Sequence, residues 1–259
     1  MTPDIVVDIG NSRMKWGRVT DGKVAEMVSL PHDDPLAWKR QVELWDGRAE
    51  RWAIATVAPE QFVRFRDWLT SRKPDTIILE NEMALSVSSR HGFTTAVKQI
   101  DRIGIDRLLT AIAARSRTIP GSTTVAISVG TAMTVDFVKE DGTHVGGAIL
   151  PGPYLMAKSL RDHTAKLPHI EIDPVIPVRV WGANTKDAID LGIASAILGA
   201  AEHLVWDWVA YSKSLPCVFV TGGDAGYFRN YEFTADIRKL EIDPMLTLEG
   251  IRIVAEWLG

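Results

Sequence analysis

Cysteine is almost absent from the chain, which has 259 residues and a single thiol, at Cys217. One thiol cannot form an internal disulfide and cannot build a cysteine-based zinc site. The six histidines are scattered, and none lies at a metal-ligand spacing from another histidine or from Cys217. Disulfide scaffolds and zinc proteins of this kind are excluded, and the composition fits a reducing cytoplasm.

A strong charge of either sign is also absent, since the net charge is -4 and the isoelectric point is near 5.9. Such a balance argues against bulk electrostatic binding to nucleic acid or to a membrane surface. Asp4 and Asp8 stand where a signal peptide would need an apolar run. The most apolar later run, 191–201, is too short to span a bilayer. We therefore expect a cytoplasmic protein that binds neither nucleic acid nor membrane.

The sequence has no Walker loop, no Rossmann fingerprint and no Gly-x-Ser-x-Gly motif. Its organising stretch is Asp4–Gly22, which is typical of a strand, a tight polar turn and a second strand. A β-branched run ends in Asp8, and Gly10, Asn11 and Ser12 permit the turn. Such a turn can direct backbone N–H groups at an anion, and a divalent cation would join the anion to the carboxylate. The pattern is the outline of a nucleotide-phosphate site.

A similar pattern begins again at Val125, at an offset of about 120 residues that aligns Gly10 with Gly130. Both copies end in an Asp-Gly hairpin signal, at 21–22 and at 141–142. Two readings are open. The hairpins are a coincidence of common motifs, or the chain is a duplicated domain with one phosphate loop at the start of each half. The second reading predicts that the two loops bind one nucleotide in an interdomain cleft.

Strand and helix signals predict an α/β protein, because hairpin strands are followed by alternating helices and strands. Pro120-Gly121 marks the boundary between the halves, so we expect domains at 1–118 and 119–259, the second closing with a helix from Met245 to Trp257. Residues 81–103 show no clear period and are expected to be rich in loops.

Asp106 and Arg107 stand at the start of a helix that is predicted to run to about Ser116. One interpretation is an acidic first turn stabilised by the helix dipole, with a solvated arginine. The other is a carboxylate base beside a guanidinium that binds an anionic substrate. The residues alone leave both open.

Taken in order, the motifs resemble those of the type III pantothenate kinases, which belong to the acetate and sugar kinase, Hsp70 and actin superfamily. The resemblance covers nearly the whole chain and is carried by eight short segments: Asp8–Lys15, Gly104–Arg107, Gly130–Thr134, Gly146–Gly152, Thr164–Pro168, Gly182–Thr185, Thr221–Asp224 and Leu246–Gly250. Each segment is weak alone, and their common order is the specific signal.

The resemblance implies two duplicated ribonuclease-H-like domains, the actin-like ATPase fold, with ATP bound between them. It implies phosphoryl transfer from ATP, with Mg²⁺, to the primary hydroxyl of pantothenate, the first step of coenzyme A biosynthesis, and a homodimer with the substrate pocket near the subunit interface. The ATP-binding residues that it implies are Asp8, which also lies near Mg²⁺, Ile9, Gly10, Asn11, Ser12, Arg13, Met14, Lys15 and Thr131. The substrate-binding residues that it implies are Gly104, Ile105, Asp106, Arg107 and Thr185, with Asp106 as the catalytic base.

Two positions depart from the family pattern. Ser128 stands where the family usually has an aspartate that binds a monovalent cation, such as K⁺ or NH₄⁺, and a neutral hydroxyl is a poorer cation ligand than a carboxylate. We therefore expect potassium activation to be weakened or replaced. Val97 stands where the family usually has a tyrosine in the substrate pocket, so that wall of the pocket must differ.

Two alternative functions remain open at this level. A non-enzymatic regulatory relative would fit the lost cation ligand, whereas the presence of Asp8, Lys15 and Asp106 favours catalysis. A kinase for another small molecule on the same fold is the second alternative, since fold does not determine substrate. The motif Gly104–Arg107 and Thr185 argue against it.

Overall fold

The structure is a computed structural model that describes residues 2–45, 49–177 and 180–259. It divides into two compact units, of which the first contains Met1–Ser116 together with Met245–Gly259 and the second contains Arg117–Pro244. The boundary expected near residue 118 lies within two residues of the observed one. The expected assignment of the C-terminal segment was wrong, because residues 245–259 pack with the first unit.

Eleven strands and seven α-helices lie within the described residues. The strands are β1 Ile5–Ile9, β2 Met14–Thr20, β3 Lys23–Leu30, β4 Arg51–Thr56, β5 Asp75–Ile78, β6 Thr94–Thr95, β7 Thr124–Val129, β8 Ala132–Val138, β9 Thr143–Pro151, β10 Cys217–Thr221 and β11 Lys239–Ile242. The helices are α1 Pro35–Leu44, α2 Pro59–Thr70, α3 Asn81–Ser89, α4 Ile105–Ser116, α5 Pro153–His163, α6 Thr185–Ser212 and α7 Leu246–Leu258.

The two units contain sheets of the same topology. In the first, the strand order is β3-β2-β1-β4-β5, with antiparallel pairing among the first three strands of the chain and parallel pairing from β1 to β4 and β5. In the second, the strands of that unit lie in the order β11-β10-β7-β8-β9, with the same antiparallel and parallel partners. The predicted α/β fold with a duplicated domain is confirmed by this topology.

The first hairpin follows the sequence prediction closely. Asp21 and Gly22 both have positive φ, 52° and 70°, which is the conformation that a two-residue hairpin turn requires. The loop-rich prediction for 81–103 was wrong at α3. The buried face of α3 consists of Ala84, Val87 and Ser88, which are three and four residues apart as in a helix. Two of these residues are small and one is polar, so the sequence shows no clear apolar period there.

An aromatic cluster forms much of the core of the first unit. Trp16 and Trp52 meet edge to face with ring centroids 5.1 Å apart, and Trp38 meets Phe65 in the same way at 5.4 Å. Trp68 stacks on Phe65. Large rigid rings in these geometries contribute packing energy beyond the area that they bury. The cluster ties α1 and α2 to the sheet that carries β1.

Helix α7 packs on α4 and on β1. The approach is close, because a β-carbon on Gly250 would lie 2.1 Å from the carbonyl oxygen of Leu109. A buried hydrogen bond of 2.8 Å joins the hydroxyls of Thr110 and Thr247, and Glu249 accepts a hydrogen bond of 2.8 Å from the Val24 N–H. These contacts are the physical reason why the C-terminal segment belongs to the first unit.

Helix α6 is long and apolar enough to cross a membrane, judged by length and composition only. In the second unit its residues Ile193, Ile197 and Val205 lie in the core that contains β7, β8 and β10. Trp208 on the same helix donates a hydrogen bond of 3.0 Å to Thr123 Oγ1. A helix that packs one face on a protein core can have this length and composition, so the length of α6 is weak evidence for a membrane span.

Candidate active site

The first loop, Gly10–Arg13, connects β1 to β2 and is closed by a hydrogen bond of 3.2 Å from the Gly10 N–H to the Arg13 carbonyl oxygen. Asp8 lies one residue from the end of β1 and is paired with Lys15 across the antiparallel ladder. Because paired residues project from the same face of a sheet, the carboxylate and the ammonium share one side of the hairpin. The central residues of the loop are exposed, whereas Asp8 and Lys15 are half-buried.

Asp106 lies in the first turn of α4. Its Oδ1 accepts a hydrogen bond of 2.9 Å from the Arg107 N–H, and its carbonyl oxygen accepts one of 2.7 Å from Thr110 Oγ1. The carboxylate bends back over Gly104, where a β-carbon would lie 2.4 Å from Oδ1. The segment from Gly104 to Arg107 thus presents a carboxylate and a guanidinium, both half-buried, at the start of one helix.

Asp8 and Asp106 interact electrostatically although 98 residues separate them in the sequence. The pKa of Asp8 is raised from 3.8 to about 7, first by burial and then by the negative charge of Asp106, whereas Lys15 opposes the rise. Two carboxylates with one cationic neighbour, at the ends of two elements, form the kind of cluster that is typical of an active site. No group of three or more potential metal-ligating side chains occurs within residues 2–45, 49–177 and 180–259.

The second loop, Gly130–Thr131, connects β7 to β8 in the second unit. The Gly130 N–H donates to the Ala132 carbonyl oxygen at 3.0 Å, and the Thr131 carbonyl oxygen accepts from the Gly152 N–H at 3.0 Å. A β-carbon on Gly152 would lie 1.8 Å from the Gly130 carbonyl oxygen. The backbone at the end of β9 therefore approaches the second loop closely and supports it.

Ser128 lies near the end of β7 in a row of hydroxyl residues. It is paired with Thr221 on β10 and with Thr134 on β8, so the three side chains project from one face of the sheet. Thr221 is buried, and its Oγ1 has no hydrogen-bond partner in the part of the chain that the structure describes. At position 128 the family pattern has an aspartate. Here the position carries a hydroxyl, and its two cross-strand neighbours carry hydroxyls as well.

Thr185 begins α6 in the second unit, after Asn184, whose side chain caps the helix by accepting from the Asp187 N–H at 2.9 Å. Thr185 is exposed and lines a mostly apolar cavity of about 730 Å³, together with residues of α5 and α6 such as Leu155 and Ile193. Of the remaining predicted positions, Val97 is half-buried, and its N–H donates to Thr95 Oγ1 at 3.2 Å.

Two residues that support the site were not identified from the sequence. His32, whose spacing from the other histidines gives no sign of a role, has its Nε2 2.9 Å from the Gly10 carbonyl oxygen. Thr247 holds α4 through Thr110. No spacing rule links these residues to the motifs that they contact, because each contact is made between segments distant in sequence. Only the C-terminal motif Leu246–Gly250 pointed to the region of Thr247.

Comparison with known proteins gives a consistent result. A family model described as type III pantothenate kinase matches residues 5–207. A type III pantothenate kinase of Synechococcus sp. (strain JA-3-3Ab) is 33% identical over 244 residues, which cover 94% of this chain and 88% of the relative. One from Nitrosococcus oceani is 31% identical over 258 residues, which cover 97% of this chain and 93% of the relative.

Among solved structures, component A of the (R)-2-hydroxyglutaryl-CoA dehydratase of Acidaminococcus fermentans is similar to this chain with a TM-score of 0.49 and 13% identity. The match covers 98% of this chain and 96% of that one.

Proposed function

The chain belongs to the type III pantothenate kinase family, and from this premise we propose how its residues transfer a phosphoryl group from ATP to pantothenate. The reaction is the ATP-dependent phosphorylation of pantothenate to 4′-phosphopantothenate, the first step of coenzyme A biosynthesis. The family model spans residues 5–207, and relatives named for this activity match along nearly the whole chain. The chain is an enzyme, a kinase that acts on an alcohol group.

Asp106 is the proposed base. The observation that carries this role is the proximity of Asp106 to Asp8, which brings the start of α4 to the end of the hairpin that holds the first loop. In the reaction the hydroxyl oxygen of pantothenate forms a bond to the γ-phosphorus, the bond from that phosphorus to the β,γ-bridging oxygen breaks, and ADP leaves. The hydroxyl proton passes to the Asp106 carboxylate. Phosphoryl transfer depends mainly on positioning and charge, which a fixed carboxylate supplies.

Arg107 is proposed to bind the carboxylate of pantothenate. Pantothenate is an anion at neutral pH, and guanidinium groups pair with carboxylates through two parallel hydrogen bonds. Arg107 is half-buried next to Asp106, so one helix start would hold both the anionic end and the reacting end of the substrate. Gly104 and Ile105 form the backbone beside them. Thr185 is proposed to bind the substrate as well, as the family resemblance implies.

The first loop and the residues that flank it, Asp8 to Lys15, are proposed to bind the phosphates of ATP. Backbone N–H groups of such a turn form an anion site, and Lys15 adds a positive charge on the same side of the hairpin as Asp8. Thr131 of the second loop is proposed to bind ATP as well. Its loop is fixed by backbone hydrogen bonds and by the close approach of Gly152.

Mg²⁺ fits the donor set at Asp8. A carboxylate whose pKa is raised to about 7 by burial and by Asp106 lacks a full positive counter-charge, and hard divalent cations prefer such oxygen ligands. When bound, Mg²⁺ neutralises charge on the ATP phosphates. The position of Ser128 fits a monovalent cation poorly, since its cross-strand neighbours Thr134 and Thr221 are hydroxyl residues. We assign no step of the reaction to K⁺ or NH₄⁺.

The enzyme is proposed to act as a cytoplasmic homodimer. The apolar cavity between α5 and α6 offers the second unit a surface for the subunit contact that the family resemblance implies. The net charge of -4 and the single cysteine support a cytoplasmic location and give no reason to expect nucleic acid or a membrane as a partner.

A coupled ADP-release assay tests the assignment of Asp106. We expect turnover that requires ATP, Mg²⁺ and pantothenate together, and a kcat that falls by roughly 10²- to 10⁴-fold in Asp106→Asn, the range for loss of a general base. Asp67→Asn, an exposed aspartate on α2, is the matched control and should behave as wild type. If folded wild-type protein binds ATP but shows no turnover, the regulatory alternative replaces the kinase. If Asp106→Asn retains full kcat, another group is the base.

A further inference from the structure

We propose that His32 is a positioning residue that sets the orientation of the first loop for the phosphates of ATP. The inference rests on the proposed role of this loop in ATP binding. His32 lies just after β3 and is half-buried, and its Nε2 is 2.9 Å from the carbonyl oxygen of Gly10. Because a carbonyl oxygen can only accept, Nε2 carries a proton and donates it.

The hydrogen bond fixes more than the oxygen that it contacts. The Gly10 carbonyl and the Asn11 N–H belong to one planar peptide unit, and in a trans peptide these two groups point in opposite directions. No cis peptide bond occurs in the described residues. By holding the Gly10 oxygen on its own side, His32 directs the Asn11 N–H to the opposite side of the loop. The Gly10 N–H is held as well, by the Arg13 carbonyl oxygen at 3.2 Å.

His32 is itself anchored on both sides. The carbonyl oxygen of the preceding Pro31 accepts a hydrogen bond of 2.8 Å from Trp38 Nε1, and the Trp38 ring is fully buried in the aromatic cluster. Two residues after His32, the side chain of Asp34 caps α1 by accepting from two backbone N–H groups of its first turn. The connection between β3 and α1 is short and fixed at both ends, so the imidazole of His32 loses little conformational entropy when ATP binds. A preorganised site has this property.

The loop has room to move here if the bond is removed. A cavity of about 490 Å³ lies beside it. Its walls include Ser12 and Arg13 of the first loop, His32 and Asp33 of the β3–α1 connection, and Glu60 and Arg64 of α2. Because open space borders the loop on this side, close packing cannot replace the hydrogen bond. The orientation of the Gly10–Asn11 peptide therefore depends on the histidine.

The test uses two substitutions of similar length that differ in a hydrogen-bond donor. His32→Met removes the donor, and His32→Gln places an amide N–H at about the same reach. We expect KM for ATP to rise about 2- to 10-fold in His32→Met, the range for one net hydrogen bond, and to stay within about twofold of wild type in His32→Gln. KM for pantothenate should be unchanged in both, since Asp106 and Arg107 are untouched. His203→Ala, an exposed histidine on α6, is the control.

Lys15→Met, measured in parallel, separates this inference from the one on which it rests. If Lys15→Met leaves ATP binding unchanged, the proposed phosphate site of Asp8 to Lys15, on which this inference rests, fails. If Lys15→Met weakens ATP binding while His32→Met does not, the positioning role of His32 is overturned. Should His32→Met fold poorly, ¹⁵N chemical shifts of the wild-type imidazole decide. Nε2 is expected to be protonated, and a neutral ring with its only proton on Nδ1 would overturn the inference.

Discussion

A β-carbon on Gly104 would lie 2.4 Å from Oδ1 of Asp106, and the nearest backbone atoms of other residues are further away. The carboxylate of the proposed base therefore occupies the space that any side chain at position 104 would fill. The φ angle of Gly104 is not among the positive values found in the described residues. The need for glycine here comes from the position of Asp106 and not from the backbone conformation.

Gly104→Ala should accordingly displace the Asp106 carboxylate while the fold is retained. Misplacing a reacting group by about 1 Å can cost on the order of 10²-fold in rate, so we expect kcat to fall by roughly 10- to 100-fold with little change in KM for ATP. Gly199→Ala on α6, where a β-carbon meets nothing within 4 Å, is the matched control and should keep wild-type kcat in the same coupled assay. Wild-type kcat in Gly104→Ala would contradict the role of Asp106.

Asp8 should make the stability of the ligand-free protein depend on pH. Its pKa is raised from 3.8 to about 7 in the folded state, so folding takes up a proton between these values. Stability is therefore greatest at the acidic end of the window, falls as the pH rises towards 7 and levels off above it. Asp8→Asn carries no charge there, so its melting temperature relative to wild type should increase from about pH 5 to about pH 8.

Thermal unfolding without ATP or Mg²⁺ measures this difference. Asp67→Asn on the exposed surface of α2 is the control for the loss of a carboxylate. A difference for Asp8→Asn that is constant with pH would mean that Asp8 titrates at the same pH in the folded and unfolded protein.

Ser128 should make the kinase insensitive to the choice of monovalent cation. Because the hydroxyl is a weak ligand and its cross-strand neighbours Thr134 and Thr221 add only hydroxyls, we expect turnover in K⁺, NH₄⁺ and Na⁺ buffers to agree within about twofold. Ser128→Asp restores the carboxylate and should introduce a preference for K⁺. Ser71→Asp on the surface of the first unit controls for added charge. Wild-type activity that collapses in Na⁺ and returns with K⁺ would refute the prediction.

Glu249 should be important for the stability of the first unit. It is buried, accepts from the Val24 N–H at 2.8 Å and pairs with Arg252 at 2.6 Å. Glu249→Ala leaves a buried N–H and a largely buried guanidinium poorly satisfied, which should lower the free energy of unfolding by about 3 kcal/mol in urea titrations. Glu256→Ala removes the other, more exposed partner of Arg252 and should cost about 1 kcal/mol or less. If both substitutions lower the free energy of unfolding by the same amount, the hydrogen bond from Val24 of β3 to Glu249 does not have the stabilising role expected here.

The hairpins and the residues of the first loop could be predicted from the sequence because the signals are local. A β-branched run before Asp8, the polar turn after it, and the Asp21-Gly22 turn act within a few residues, and the structure has β1, β2 and β3 where they indicate. The repeat at Gly130 predicted the second sheet for the same reason. Strand β11, Lys239–Ile242, was not predicted, since a four-residue strand without strong alternation gives little signal.

The contacts that support the site could not be predicted, because they join distant segments. The proximity of Asp8 to Asp106, the bond from His32 to Gly10 and the packing of α7 on α4 all depend on the tertiary fold. The family resemblance placed Asp8 and Asp106 in one active site. The spacing of the two residues in the sequence gave no such indication. The packing of α7 with the first unit was also not predicted, because the simplest division of a duplicated chain gives two continuous halves.

The packing of α7 with the first unit affects the order in which the protein can be built on the ribosome. The second unit is one continuous segment, so all of it is available to fold once residue 244 has been synthesised. The first unit is interrupted, and the helix that covers α4 and β1 is translated only after the whole second unit. Domains generally fold as units during synthesis, starting from the N-terminal end, but here the unit that begins first is completed second. A nascent chain that stalls before residue 245 would carry Asp106 on a helix whose apolar face is still uncovered, and chaperones bind exposed apolar surface of this kind.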